Sequence, residues 1–124
     1  MSSKPLQGIE AIVRIEPGDL QAYTPPLTDY KRPSENWSEA EFRCLSAQIT
    51  SALVDYWTGE PGEVSFDAWP YTEICSMLSG RVALRDDLRR SVTFGGGEAF
   101  IVPQGWRGTW LTLEAASKIF VALK

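Results

Sequence analysis

Trp69-Pro-Tyr-Thr-Glu-Ile-Cys-Ser-Met-Leu-Ser-Gly80 is the stretch from which the rest of the chain can be read. Side chains alternate across a β-strand, so Glu73, Cys75 and Met77 share one face and Ile74, Ser76 and Leu78 the other. Asp67, Trp69 and Tyr71 have the parity of Glu73. They join its face if the backbone stays extended, although a turn at Pro70 would break the pattern. Gly80 ends the run with a residue that reaches positive φ without strain.

A second stretch answers the first. Gly97-Glu-Ala-Phe-Ile-Val-Pro-Gln-Gly105 is a short apolar strand between glycine and Pro-x-Gly, followed by Trp106-Arg-Gly-Thr-Trp110. Around these two lie further apolar or alternating runs. Strands are expected near 47–57, 64–69, 73–78, 81–86, 91–94, 99–102, 109–113 and 118–123, starting roughly every 8–12 residues with no helical period between them. Gly59-Glu-Pro-Gly62, Gly80, Asp86-Asp87, Gly95-Gly96-Gly97 and Pro103-Gln-Gly105 separate them. That texture is an all-β sandwich or barrel. Before it, residues 1–46 read as an N-terminal arm. One alternating strand spans Ile9–Ile15, Pro17, Pro25, Pro26 and Pro33 punctuate an extended segment, and Ser38-Glu-Ala-Glu41 has the form of a helix-capping box. Residues 47–124 form the barrel.

The totals of this 124-residue chain exclude several chemistries. It contains no histidine, which removes Ser-His-Asp and Cys-His catalysis and histidine-based zinc or iron sites. Its net charge is −4, and its basic cluster (Arg81, Arg85, Arg89, Arg90) is interrupted by Asp86 and Asp87. Nucleic-acid binding is therefore not expected, since phosphates need clustered Lys and Arg. No signal peptide or membrane-length apolar run is visible, and no membrane partner is expected. The chain reads as cytoplasmic, with Cys44 and Cys75 reduced.

Glu73, Gly80, Gly97 and Pro103-Gln-Gly105 together resemble the two signatures of the cupin superfamily. The first normally carries two histidines ahead of the glutamate and the second a histidine after Pro-x-Gly. In this register those positions are Asp67, Trp69 and Gly108. The aromatic-Tyr-Glu order at Trp69, Tyr71 and Glu73, with Gly108 and Trp110, is similar to a small single-domain branch of unknown function. That branch also resembles the ethanolamine-utilisation cupin and the cupin domains of ureidoglycine aminohydrolase. The resemblance covers residues 50–123. It implies a double-stranded β-helix, the jelly-roll (RmlC-like) barrel, with Glu73 inward at its mouth and Cys75 and Met77 inward with it.

An inward carboxylate at Glu73 is poorly solvated and could act as a general acid or base. It could equally be satisfied by Tyr71, Arg107 or a backbone amide. Trp69, Tyr71 and Trp110 could stack on a ligand or plug the barrel, and Trp106 could close the mouth. Asp67 could pair with Glu73, but a solvent-facing edge charge is the preferred reading. Cys75 should be buried and inert, Met77 inward, and Arg107 free to meet a carboxylate or solvent. No cofactor is expected, and one or two carboxylates are too few for a firmly held metal.

Three functions stay open: a small-molecule-binding cupin independent of metal; a metal-independent hydrolase, lyase or isomerase using Glu73; and a non-catalytic interaction domain whose barrel is filled by aromatics. The expected partners are a small polar ligand and a second copy in a homodimer.

Overall fold

Residues 72–85 and 108–123, each expected as two strands, are single long strands that bend and so serve both halves of the molecule. They are the frame of the fold. The computed structural model describes residues 12, 14–44 and 52–123. Eight strands lie among them: β1 (Gln21–Tyr23), β2 (Glu39–Arg43), β3 (Ala52–Gly59), β4 (Gly62–Phe66), β5 (Thr72–Arg85), β6 (Ser91–Gly95), β7 (Ala99–Val102) and β8 (Gly108–Leu123). Short 3-10 turns occupy Pro17–Asp19 and Leu27–Asp29.

Every strand pairing is antiparallel. The path runs β1-β2-β3-β8-β5-β6, with β4 added to β8 and β7 to β5. The C-terminal half of β8 lies between β3 and the N-terminal half of β5 (Asp55↔Phe120, Cys75↔Phe120). Its N-terminal half lies between β4 and the C-terminal half of β5 (Val64↔Trp110, Leu84↔Trp110). One continuous sheet thus curls around a single core through its two long strands, giving an all-β jelly-roll barrel.

The bend in β5 sits at Gly80. The β5–β8 register shifts between Met77 and Val82, and Gly80 has φ +76°. A Cβ there would lie 2.1 Å from the Ala115 carbonyl oxygen of β8. Glycine bends the strand where a terminating turn was expected, because only it allows both the positive φ and the close approach. The core inside the bend is aromatic and aliphatic, with Trp57, Val64, Phe66, Trp69, Val82, Trp110 and Phe120 all buried.

The chain before the barrel departs from expectation. Ser38–Glu41 caps no helix: Glu39–Arg43 is β2, which pairs with β3 from Glu39↔Gly59 to Arg43↔Asp55, and β1 pairs with β2. The reason is burial on one face, since Glu39, Glu41 and Arg43 point inward over the open end of the barrel. Of the strand expected at Ile9–Ile15, residues 9–11 and 13 lie outside the described residues, as do residues 45–51 at the start of the strand expected from Ala47. Val64–Trp69 ends its strand earlier, at Phe66. The arginine-rich segment is the β5–β6 hairpin, where Asp86 accepts backbone N–H bonds from Leu88 and Arg90. Among the described residues no helix is long and apolar enough to cross a membrane.

Candidate functional site

Glu73 lies on the inner face of β5, 3% exposed. Three donors converge on it. The Lys118 ammonium donates to Oε2 at 2.8 Å, the Cys75 thiol to Oε2 at 3.0 Å, and the Trp69 indole N–H to Oε1 at 3.2 Å. Lys118 is one of the cavity residues that sequence reasoning missed, along with Tyr30, Glu39, Glu41 and Arg43. Lys118 stands on β8 opposite Met77 and Trp57, is 4% exposed, and lies 4.1 Å from the Trp110 ring centroid and 5.0 Å from that of Trp57. Burial alone would lower its pKa, but its contacts with Cys75 and Glu73 reverse that and hold the ammonium above the ordinary lysine value. Burial pushes the Cys75 thiol up, so it is a proton donor and not a thiolate nucleophile. The premise of an isolated carboxylate in an apolar barrel therefore fails, because Glu73 has a counter-ion.

Above this pair opens a cavity of about 170 Å³, far more than the roughly 10–15 Å³ that admits one water. Trp69, Tyr71, Glu73, Trp110 and Lys118 line one side. The other side comes from the N-terminal segment: Tyr30, Trp37, Glu39, Glu41 and Arg43. The Tyr30 hydroxyl and the Trp57 indole N–H both donate to Glu39, the latter at 2.8 Å, and Trp37 adds a longer bond of 3.4 Å. Arg43 lies over the Tyr23 ring and reaches Asp55 at 3.4 Å and Glu41 at 3.5 Å. Asp55 is fully buried, and its Oδ1 has no hydrogen-bond partner among the described residues. Burial first, then hydrogen bonding to Asp55 and its charge, pushes the Glu41 carboxyl up to about 9. Burial and the neighbouring Asp55 thus favour the protonated form of the Glu41 carboxyl. Burial and the nearby Glu73 charge likewise raise the Tyr71 hydroxyl, which remains protonated.

Of the eight residues singled out from the sequence, the structure brings Trp69, Tyr71, Glu73 and Trp110 together around the cavity. Cys75 and Met77 point inward beneath it, buried among core side chains. Asp67 and Arg107 are not brought to the cavity. Arg107 is exposed and pairs with Asp87 at 2.7 Å and Asp67 at 2.9 Å, because both carboxylates lie beside it on the outer rim. Trp106 is half-buried, edge-on to Trp69. Trp57, outside both motifs, sits in the core and on the cavity wall.

The residues present do not fit the metal that the fold's usual histidines would hold. Asp67 is engaged outside with Arg107, and Trp69 presents an N–H donor. The space a Cβ on Gly108 would need is filled by the Trp106 ring, 2.3 Å away. Both Glu73 oxygens already face donors, and the cation against them is Lys118. Among the described residues no three His, Cys, Asp or Glu side chains cluster as metal ligands.

Solved structures share this architecture. Polyketide cyclase RemF from Streptomyces resistomycificus is 16% identical with a TM-score of 0.65, covering 90% of this chain and 79% of its own. That coverage runs past the barrel motifs into the N-terminal strands. A putative ethanolamine utilization protein Q from Salmonella typhimurium LT2 is 16% identical with a TM-score of 0.63, covering 72% of each chain. A DUF861 family protein from Thermotoga maritima is 25% identical with a TM-score of 0.50, covering 56% of this chain and 76% of its own. No curated protein matches. The family model described as the EutQ-like cupin domain matches residues 51–120, more than half of the sequence, and takes in both stretches from which the fold was read. This chain belongs to the EutQ-like cupin family.

Proposed function

We propose that the chain binds a small polar metabolite in the barrel cavity, without a histidine-held metal. The observation that carries this reading is the cavity itself. Four tryptophans and three tyrosines stand around the barrel mouth, yet they leave about 170 Å³ free above a buried Glu73–Lys118 pair. A barrel filled by its aromatics would have closed that space. An aromatic wall with a few fixed polar groups is the usual form of a small-molecule site. The Glu73–Lys118 pair supplies both a hydrogen-bond acceptor and a donor at the floor, and Tyr71 and Glu41 supply further donors.

Turnover is the second reading, favoured by one observation: a carboxylate (Glu73) and a carboxylic acid (Glu41) face the same space, the arrangement that acid–base catalysis needs. Screening small polar metabolites by tryptophan emission and melting temperature tests the first reading. Binders are expected for the wild type and weakened or lost in Lys118→Met. A screen in which no compound alters either signal would defeat the binding reading and leave an interaction domain. Product analysis on the binders, with Glu73→Gln and Glu41→Gln as controls, decides between binding and turnover.

A further inference from the structure

We infer that the cavity selects a small organic cation, a protonated amine or a quaternary ammonium group, over neutral and anionic ligands. This rests on the binding reading above and names its ligand class. The argument begins with charge. Both cations at the site are committed: Lys118 to Glu73 at 2.8 Å and Arg43 to Asp55 and Glu41 at 3.4 and 3.5 Å. Glu39 is different. Its partners are the hydroxyl of Tyr30 and the indoles of Trp57 and Trp37, all neutral donors. They orient the carboxylate without cancelling its charge. Asp29, half-buried on the same wall, has no ion pair among the described residues. Glu41 apart, three carboxylates on the cavity wall (Asp29, Glu39, Glu73) face two cations, with Asp55 buried behind Arg43. A recess lined by one sign of excess charge and low-dielectric walls concentrates the opposite ion.

The walls specify what kind of cation. Ring faces attract ammonium groups, and more strongly once the contact is desolvated. The site already shows this preference, since the buried Lys118 ammonium rests against Trp110, Trp57 and Phe120. A divalent metal is the poorer occupant. It wants about six oxygens, whereas the Glu39 carboxylate is engaged by N–H and O–H donors and the rest of the wall is aromatic.

Calorimetric titration with three probes tests the inference: choline chloride, its uncharged isostere 3,3-dimethyl-1-butanol, and sodium acetate. Choline is expected to bind about tenfold or more tightly than the isostere, and acetate not to bind. Glu39→Gln should weaken choline about tenfold while leaving the isostere unchanged. Because Glu39 ties Tyr30 to Trp57 and its variant could unfold, Asp29→Asn near the surface is the second variant, expected to weaken choline in the same direction. Equal or tighter binding of the isostere or of acetate would sink the cation assignment and leave the cavity reading intact. So would choline affinity unchanged in both variants, or magnesium chloride displacing choline at equimolar concentration. Silence from all three probes, together with an empty metabolite screen, would overturn both.

Discussion

Lys118 and Glu73 stabilise one another only as a pair. Each is desolvated, so removing one partner leaves a buried charge without its counterpart, at a cost of about 3–5 kcal/mol. Lys118→Met is therefore expected to lose that much in urea denaturation, and the double variant with Glu73→Gln less than the sum of the two single losses. Glu41 supplies a second prediction at this scale. Its folded-state pKa of about 9 stands above the ordinary 4.5, so between those values the folded chain keeps a proton that the unfolded chain releases. Stability from this group is full below about 4.5 and is lost as pH rises through 9. Asp55, Glu39 and Arg43 face the same carboxyl; the two acids oppose its ionisation and Arg43 favours it. Unfolding free energies measured between pH 5 and 9.5 should fall with pH in the wild type and flatten in Glu41→Gln. A wild-type profile as flat as the variant's would refute the assignment. Glu73 was legible in the sequence as the residue that mattered, but Lys118 was not. In Ala115-Ala116-Ser117-Lys118-Ile119-Phe120-Val121-Ala122 both parities are apolar, so alternation cannot say which face turns inward. The available signal was a lone charge inside an apolar run.

Strands legible from their breaks were read well. β6 and β7, between the turns at Asp86-Asp87 and Pro103-Gln-Gly105, follow the expected boundaries within a residue. Strands that bend were divided in the reading, because a glycine that curves a strand and one that ends it look alike until the register is known. Gly80 is the test case. Gly80→Ala must accept φ +76° and a Cβ against the Ala115 carbonyl, a strain of order 1–3 kcal/mol from the backbone alone. Thermal melts should show a loss at the upper end of that range or beyond, and a variant that melts with the wild type would mean that the bend does not depend on Gly80. β2 was missed for a different reason. Its inward residues are Glu39, Glu41 and Arg43, so polarity is inverted relative to an ordinary half-buried strand, and Ser38 followed by Glu41 imitates a helix start. Local pattern fails where a strand turns its charges toward a cavity.

A ligand that binds the folded chain stabilises the whole molecule by mass action, about 2.7 kcal/mol at a hundredfold excess over its Kd. The melting temperature should therefore climb with ligand concentration, and saturating it in Lys118→Met should produce a smaller rise. An identical rise in the variant would move the binding site away from the barrel floor. The homodimer remains a proposal at this scale, checked by light scattering at micromolar concentration. The cavity also has an uneven parentage. Its floor, from Glu73, Trp110 and Lys118, lies within the family-matched residues 51–120, whereas Glu39, Glu41, Arg43 and Tyr30 lie outside them. Substitutions on β2 would therefore reshape that wall while leaving the β5–β8 pairing untouched, so the wall and the frame can be altered separately.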